Sequence, residues 1–275
     1  MNDTSIVKSR PYWHVDLKWI AGIGLFTALS AALLLYNLSA ISERERAVKI
    51  SSTVVASLFS RDGLDDEKGL EALKQNAALL PGDSVAPIEQ FPFITISKTD
   101  LATMSAHDLR LKIFSQITGP IYDKGVEGAA ETFTSDPDEQ KKFSQQASVL
   151  TLLTSQTHRV LRMAFIAAVI LAVIELAALI FYSAGWGRLV SPAIVFLLAS
   201  PVGAVAGLLL SHPSADGDGP LLALPVVVVR DVGSLLSGSY VMVAIAGASL
   251  LFIALVGKIV QKIVQRPKPD TKTKV

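Results

Sequence analysis

Four uninterrupted apolar runs constrain this chain more than any other feature it has. Trp19–Ala40, Met163–Ser183, Leu189–Leu210 and Tyr240–Val260 each reach the roughly 20 residues that a helix needs to cross a hydrocarbon core of about 30 Å. Inside that core no water bonds the backbone, so each run must be helical. Hydrophobic residues make up 51% of the 275, and they concentrate in these runs. The expected fold is an all-α membrane protein: four transmembrane helices, with a mostly helical extracytoplasmic domain (residues 41–162) inserted between the first and second. The first run follows Lys8, Arg10 and Lys18 as a signal peptide would. Its apolar stretch exceeds the roughly 7–15 residues of a signal core, and Leu38 stands where cleavage after Ala40 wants a small residue. It therefore reads as a retained anchor.

Basic residues give the direction, because short cytoplasmic segments hold Lys and Arg. With the N-terminus inside, the inner side carries Lys8, Arg10, Lys18, Arg188, Lys258, Lys262, Arg266, Lys268, Lys272 and Lys274. The outer side carries Arg230 in its short loop, and Arg44, Arg46, Lys49, Arg159 and Arg162 beside the membrane. Ten against six favours a cell-membrane protein with both termini cytoplasmic. Trp13, Trp19 and Trp186 then all fall inside, with Trp19 and Trp186 at the interface. The net charge of +1 supplies no field for nucleic acid. With no cysteine, disulfides, thiolate metal sites and cysteine nucleophiles are excluded.

Between the first two spans the pattern is helical. Glu43–Phe59 reads as a direct continuation of the first span, and Leu64–Leu80 as a helix with Leu70, Leu73, Ala77 and Leu80 on one face. Pro81-Gly82-Asp83 stops it, and Phe93–Ser97 alternates like a short strand. Ser105 with Asp108 marks a helix start, Leu109, Ile113 and Ile117 its buried stripe, and Gly119-Pro120 its end, with a weaker helix to about Phe133. Asp136-Pro137 starts another helix. No glycine or proline follows before Gly185, so a single helix of about 47 residues, roughly 70 Å long, is expected to run into the second span. With the extension of the first span it would form an antiparallel stalk. Gly185-Trp186-Gly187 makes a tight inner turn. In the outer loop 211–239, Leu221–Val229 is apolar but too short to cross, and reads as a re-entrant or interfacial segment ending in Arg230-Asp231. The tail beyond residue 260 is basic.

Glu175 is the sharpest candidate for chemistry. It lies near the middle of the second span, where an ionised acid costs about 2.5 kcal/mol or more. Ala164, Ala168 and Ala172 share its helical stripe and allow close approach by another helix. Thr27, Ser30, Ser200 and Ser249 lie near the midpoints of their own spans and complete a candidate intramembrane polar site around it. The plainer alternatives are a neutral carboxyl bonded to a hydroxyl or a backbone carbonyl, or an ion pair with Arg230. Arg230 and Asp231 form a candidate outer-mouth pair, or simply an interfacial anchor. Small-residue stripes recur at Gly24, Ala28 and Ala32 and at Ala199, Gly203 and Gly207, for packing within the chain or for a homo-oligomer. His14, His107, His158 and His212 are scattered without metal spacing, and no metal or cofactor is expected. Gly247-Ala248-Ser249 offers a serine, but no histidine lies in a span to serve as its base.

No catalytic or ligand-binding motif stands out. The expected role is non-enzymatic: the extracytoplasmic domain binds a partner protein, an envelope component or a lipid, as an accessory, scaffold or sensor. Membrane lipid and a partner membrane or envelope protein are the expected partners. The alternative is a small proton- or ion-coupled transporter or channel subunit built around Glu175.

Overall fold

The computed structural model describes residues 13–59, 67–79, 81–87, 94–212 and 226–264. It is nearly all helix: α1 Trp13–Ile41, α2 Arg44–Phe59, α3 Glu67–Leu79, α4 Lys98–Thr103, α5 Ala106–Phe133, α6 Pro137–Gln146, a 3-10 segment Ser148–Leu153, α7 Ser155–Tyr182, α8 Gly187–Ser211 and α9 Val226–Val264. One antiparallel pair, β1 Ser84–Val85 and β2 Ile96–Ser97, sets Ser84 opposite Ser97 and Val85 opposite Ile96. Helices α1, α7 and α8, and residues Val228–Val264 of α9, are long and apolar enough to cross a membrane. The chain divides into two compact units. An apolar unit holds Met1–Leu34, Phe165–Leu208 and Leu235–Val275, and an inserted unit holds Leu35–Ala164 and Leu209–Ser234.

In the apolar unit neighbouring helices run antiparallel. Gly22 faces Leu179 and Gly24 faces Glu175, so α1 and α7 run in opposite senses. Gly203 lies under the Tyr240 ring, and Gly247 lies against Ala193, Phe196 and Leu197, which does the same for α8 and α9. Small residues make these approaches. A Cβ on Gly247 would stand 2.9 Å from Phe196 Cβ and 3.1 Å from the Ala193 carbonyl oxygen. Ala21, Leu25, Leu179 and Val195 form a small core. The lipid-length helices bury little more: in α7 only 6% of the most apolar window is covered.

The inserted unit packs like a water-soluble domain around α5. Leu109, Ile113, Ile117 and Ile121 form a buried stripe on that helix. Leu70 and Ala77 of α3, Ile94, Ile96, Leu101, Ala147 and Leu150 close over it. Helix α2 presents Ala47, Ser52 and Ala56, all fully buried. That narrow face lets α2 lie close to α5, and the Ser52 and Thr118 hydroxyls bond across the contact at 2.9 Å.

Local signals set the helix starts. The Ser105 hydroxyl accepts from Asp108 N, and Asp136 accepts from Asp138 N with Pro137 in the first turn. Gly82 ends the α3 region at a φ of +103°, where a side chain would be strained.

Three expectations are corrected. First, α5 does not end at Gly119-Pro120. It runs through, and breaks at Gly125, whose φ is +78°. Pro120 removes one backbone bond, but Ile117 and Ile121 on either side are buried, so packing holds the helix together. Second, the 47-residue helix and the antiparallel stalk do not form. The chain turns at Ala147, passes through the 3-10 segment, and is extended at Thr154 with φ −109° and ψ 159°. Thr154 and Thr157 both donate to the Thr151 carbonyl, a local bonding that competes with the helix ladder. At 3-10 spacing, Ala147 and Leu150 both reach the core. Likewise α1 stops at Ile41, and Ser42-Glu43 separates it from α2. Third, Arg230 and Asp231 do not end a separate segment. They lie in the opening turns of α9, which runs unbroken to Val264 because Gly233 and Gly238 are tolerated within it. Residues 1–12, Leu64–Asp66, Leu80, Phe93, the loop 213–225 and the tail 265–275, on all of which expectations fell, lie outside the described residues.

Candidate functional site

Glu175 sits half-buried on α7, in the stripe that also holds the half-buried Ala164, Ala168 and Ala172. Opposite it on α1 is Gly24. A Cβ on Gly24 would stand 2.7 Å from the Glu175 carboxyl carbon, 2.9 Å from Oε1 and 3.0 Å from Oε2. The carboxyl group thus occupies the space that a side chain at position 24 would take. Among the described residues it has no hydrogen bond or ion pair.

Two of the four hydroxyls grouped with Glu175 are engaged elsewhere. Thr27 donates to the Ile23 carbonyl oxygen at 3.0 Å, and Ser200 donates to that of Phe196 at 3.0 Å, each within its own helix. Ser30 is half-buried and Ser249 exposed. Close packing of Glu175 is with glycine rather than with a ring of hydroxyls. Arg230 and Asp231 are both exposed on consecutive positions of α9, which places them on different faces of the helix.

Four polar contacts lie outside the candidates singled out from the sequence. In the inserted unit, His158 Nδ1 stands 3.1 Å from Ser42 Oγ and 3.1 Å from the Ser39 carbonyl oxygen. The Ser42 hydroxyl already donates to that carbonyl at 3.0 Å. A carbonyl only accepts, so the proton belongs on Nδ1, which then donates to both. A nitrogen that donates is no base for Ser42, and Ser42 is 1% exposed. The triad ties the end of α1 to the start of α7 rather than supplying a nucleophile.

Arg44 of α2 grips Asp123 of α5 in a two-bond fork, Nε to Oδ1 at 3.0 Å and Nη2 to Oδ2 at 2.8 Å. The hydrogen bond from Arg44 holds the Asp123 carboxyl below its ordinary range, and the bond to Asp123 raises the guanidinium. Asp100 is lowered in the same way, first by Lys112, whose ammonium donates at 2.8 Å, and then by the Ser97 hydroxyl.

In the apolar unit, the Trp186 ring covers Gly257, and its indole N–H donates to the side-chain amide oxygen of Gln261, one turn further along α9. His14 of α1 lies 5.9 Å from Tyr182 of α7, ring to ring. The bare Gly257 and the indole at 186 were the available signals, but which helix the ring would meet is a matter of tertiary packing. No group of histidines and acids that could hold a metal occurs among the described residues. The chain matches no family model, no curated protein and no solved structure.

Proposed function

We propose that this is a multi-pass protein of the cell membrane, both termini cytoplasmic, whose segment 41–162 forms an extracytoplasmic helical domain. That domain binds a partner protein, envelope component or lipid, in a non-enzymatic accessory, scaffold or sensor role. The observation that carries this reading is the division of the chain itself. One unit has lipid-length helices that leave most of their apolar surface uncovered, and the other closes a hydrophobic core of its own. Such a division serves to hold a recognition surface at a membrane. The antiparallel helix pairs and the gathering of His14, Tyr182, Trp186 and Gln261 toward one end of the apolar unit support the assigned orientation. Trp13 and Lys18 flank His14, and Lys262 follows Gln261, so aromatic and basic residues collect there as they do at a cytoplasmic interface.

The inserted unit exposes two leucines almost fully, Leu79 at 84% and Leu152 at 73%. A photo-crosslinking residue at each, in the full chain in its native membrane, tests the binding role. A discrete adduct at either site is expected, and it should not form when the membranes are diluted into mild detergent before irradiation. Absence of any adduct at both sites counts against it.

A second reading has its own observation, the half-buried carboxyl of Glu175 beside Gly24, with no polar partner among the described residues. Under it the chain is a proton- or ion-coupled transporter or channel subunit, an oligomer completing the pathway. Proton flux into liposomes that Glu175→Gln abolishes would favour it. Equal silence of both proteins would remove its motive.

A further inference from the structure

An apolar groove of about 360 Å³ runs along the apolar unit between α1 and α8, with Leu179 of α7 in it. It exists because Gly22 has no side chain. A Cβ there would touch nothing closer than Leu179 Cδ1 at 3.9 Å, so the space above it is open. Ile23 and Phe26 on one wall and Ile194 and Leu198 on the other are apolar and exposed. From Lys18 to Phe26 the groove follows α1 for about 12 Å. A second helix, some 10–12 Å across, is too wide for that volume. One hydrocarbon chain is not.

The groove is polarised along its length. Its polar side chains gather at one end: Lys18, the Trp19 indole and the Ser191 hydroxyl. The Ser191 oxygen accepts from Ser183 at 3.4 Å, and the ammonium is the one charged group among the residues lining the groove. Lys18 is half-buried and has no acidic partner among the described residues. Asp16, two positions earlier on the same helix, faces elsewhere. A fixed cation at the head of an apolar slot is complementary to one kind of molecule. We infer that the α1–α8 groove binds an anionic phospholipid, one acyl chain lying along Gly22 and the phosphate held by Lys18. The inference rests on the membrane reading above and adds to it a specific lipid site.

The test uses full-length protein in bilayers, with Trp13→Phe and Trp186→Phe in place so that emission reports Trp19. Phospholipids brominated on the acyl chain are titrated in as phosphatidylglycerol or as phosphatidylcholine. The anionic lipid should quench Trp19 at an about fivefold lower mole fraction, the preference expected of one near-surface lysine. Lys18→Gln should erase that preference, and Gly22→Leu, which fills the slot, should weaken quenching by both lipids. Coincident curves with Lys18 present overturn the inference. So does a preference that survives Gly22→Leu, or an unquenched Trp19 whose Cys replacement forms a disulfide-linked dimer, since a second copy then covers the groove. Failure of the membrane reading is distinguishable, because the chain would not float with the vesicles at all.

Discussion

The Glu175 carboxyl group lies where a side chain on Gly24 would be, its carbon 2.7 Å from that glycine's missing Cβ. The α1–α7 contact therefore depends on both residues. Gly24→Leu forces the carboxylate aside and overpacks the contact, at about 1–3 kcal/mol. Glu175→Ala in the same chain makes room and should recover most of the loss, a non-additivity that contacting residues show. Thermal unfolding in mild detergent checks this. Additive losses in the double variant would mean that the two side chains do not meet.

Trp186 fastens the α7–α8 turn to α9 through Gly257 and Gln261. A valine at 257 would displace the indole, because even a Cβ there would run into its six-membered ring. Gly257→Val is expected to lower stability by about 1–3 kcal/mol and to shift Trp186 emission to the red as the ring meets solvent or headgroups. Trp186→Phe keeps the packing and loses one hydrogen bond, about 1 kcal/mol. Calorimetry and emission spectra of the two variants separate the contributions.

Acid should loosen the inserted unit through its aspartates. Asp123 and Asp100 are lowered by Arg44 and Lys112, so in the folded chain they hold their charge to lower pH than in the unfolded one. Their contribution is fully present above about pH 3.9, the ordinary aspartate value, and is lost as pH falls below it through the lowered folded values. Arg44 and Asp123 side chains are 62% and 46% exposed, so solvent screening holds the pair to about 1 kcal/mol or less. Asp123→Asn should flatten the acid limb of the stability curve and leave stability at pH 7 within that margin. Urea titrations at pH 7 and pH 3 measure it.

What could be read along the chain was what short-range chemistry decides. The Ser105–Asp108 and Asp136–Pro137 starts, the Leu109–Ile113–Ile117 stripe and the turn at Gly185 depend on residues within a turn of one another. The four apolar runs are helices for the same reason, since length and composition alone demand it. The misjudged boundaries were places where packing overrules local propensity. Pro120 is carried through by its buried isoleucine neighbours, and the break falls five residues later at Gly125. Ser148, Thr151, Thr154, Ser155 and Thr157 do carry a signal against one long helix, because hydroxyls bond nearby carbonyls. The site contacts were out of reach. Gly24 with Glu175, Arg44 with Asp123 and Ser42 with His158 are far apart in sequence, and nothing in either member of a pair names the other.

The most direct test of the account is the side of the membrane on which residues 41–162 lie. The chain has no cysteine, so single cysteines at Ser84 and Thr271 report without background. Intact cells are treated with a membrane-impermeant maleimide before and after permeabilisation. The account predicts that Ser84→Cys labels at once and Thr271→Cys only after the membrane is opened. Labelling of both from the same face, or of Ser84→Cys only after opening, would contradict it.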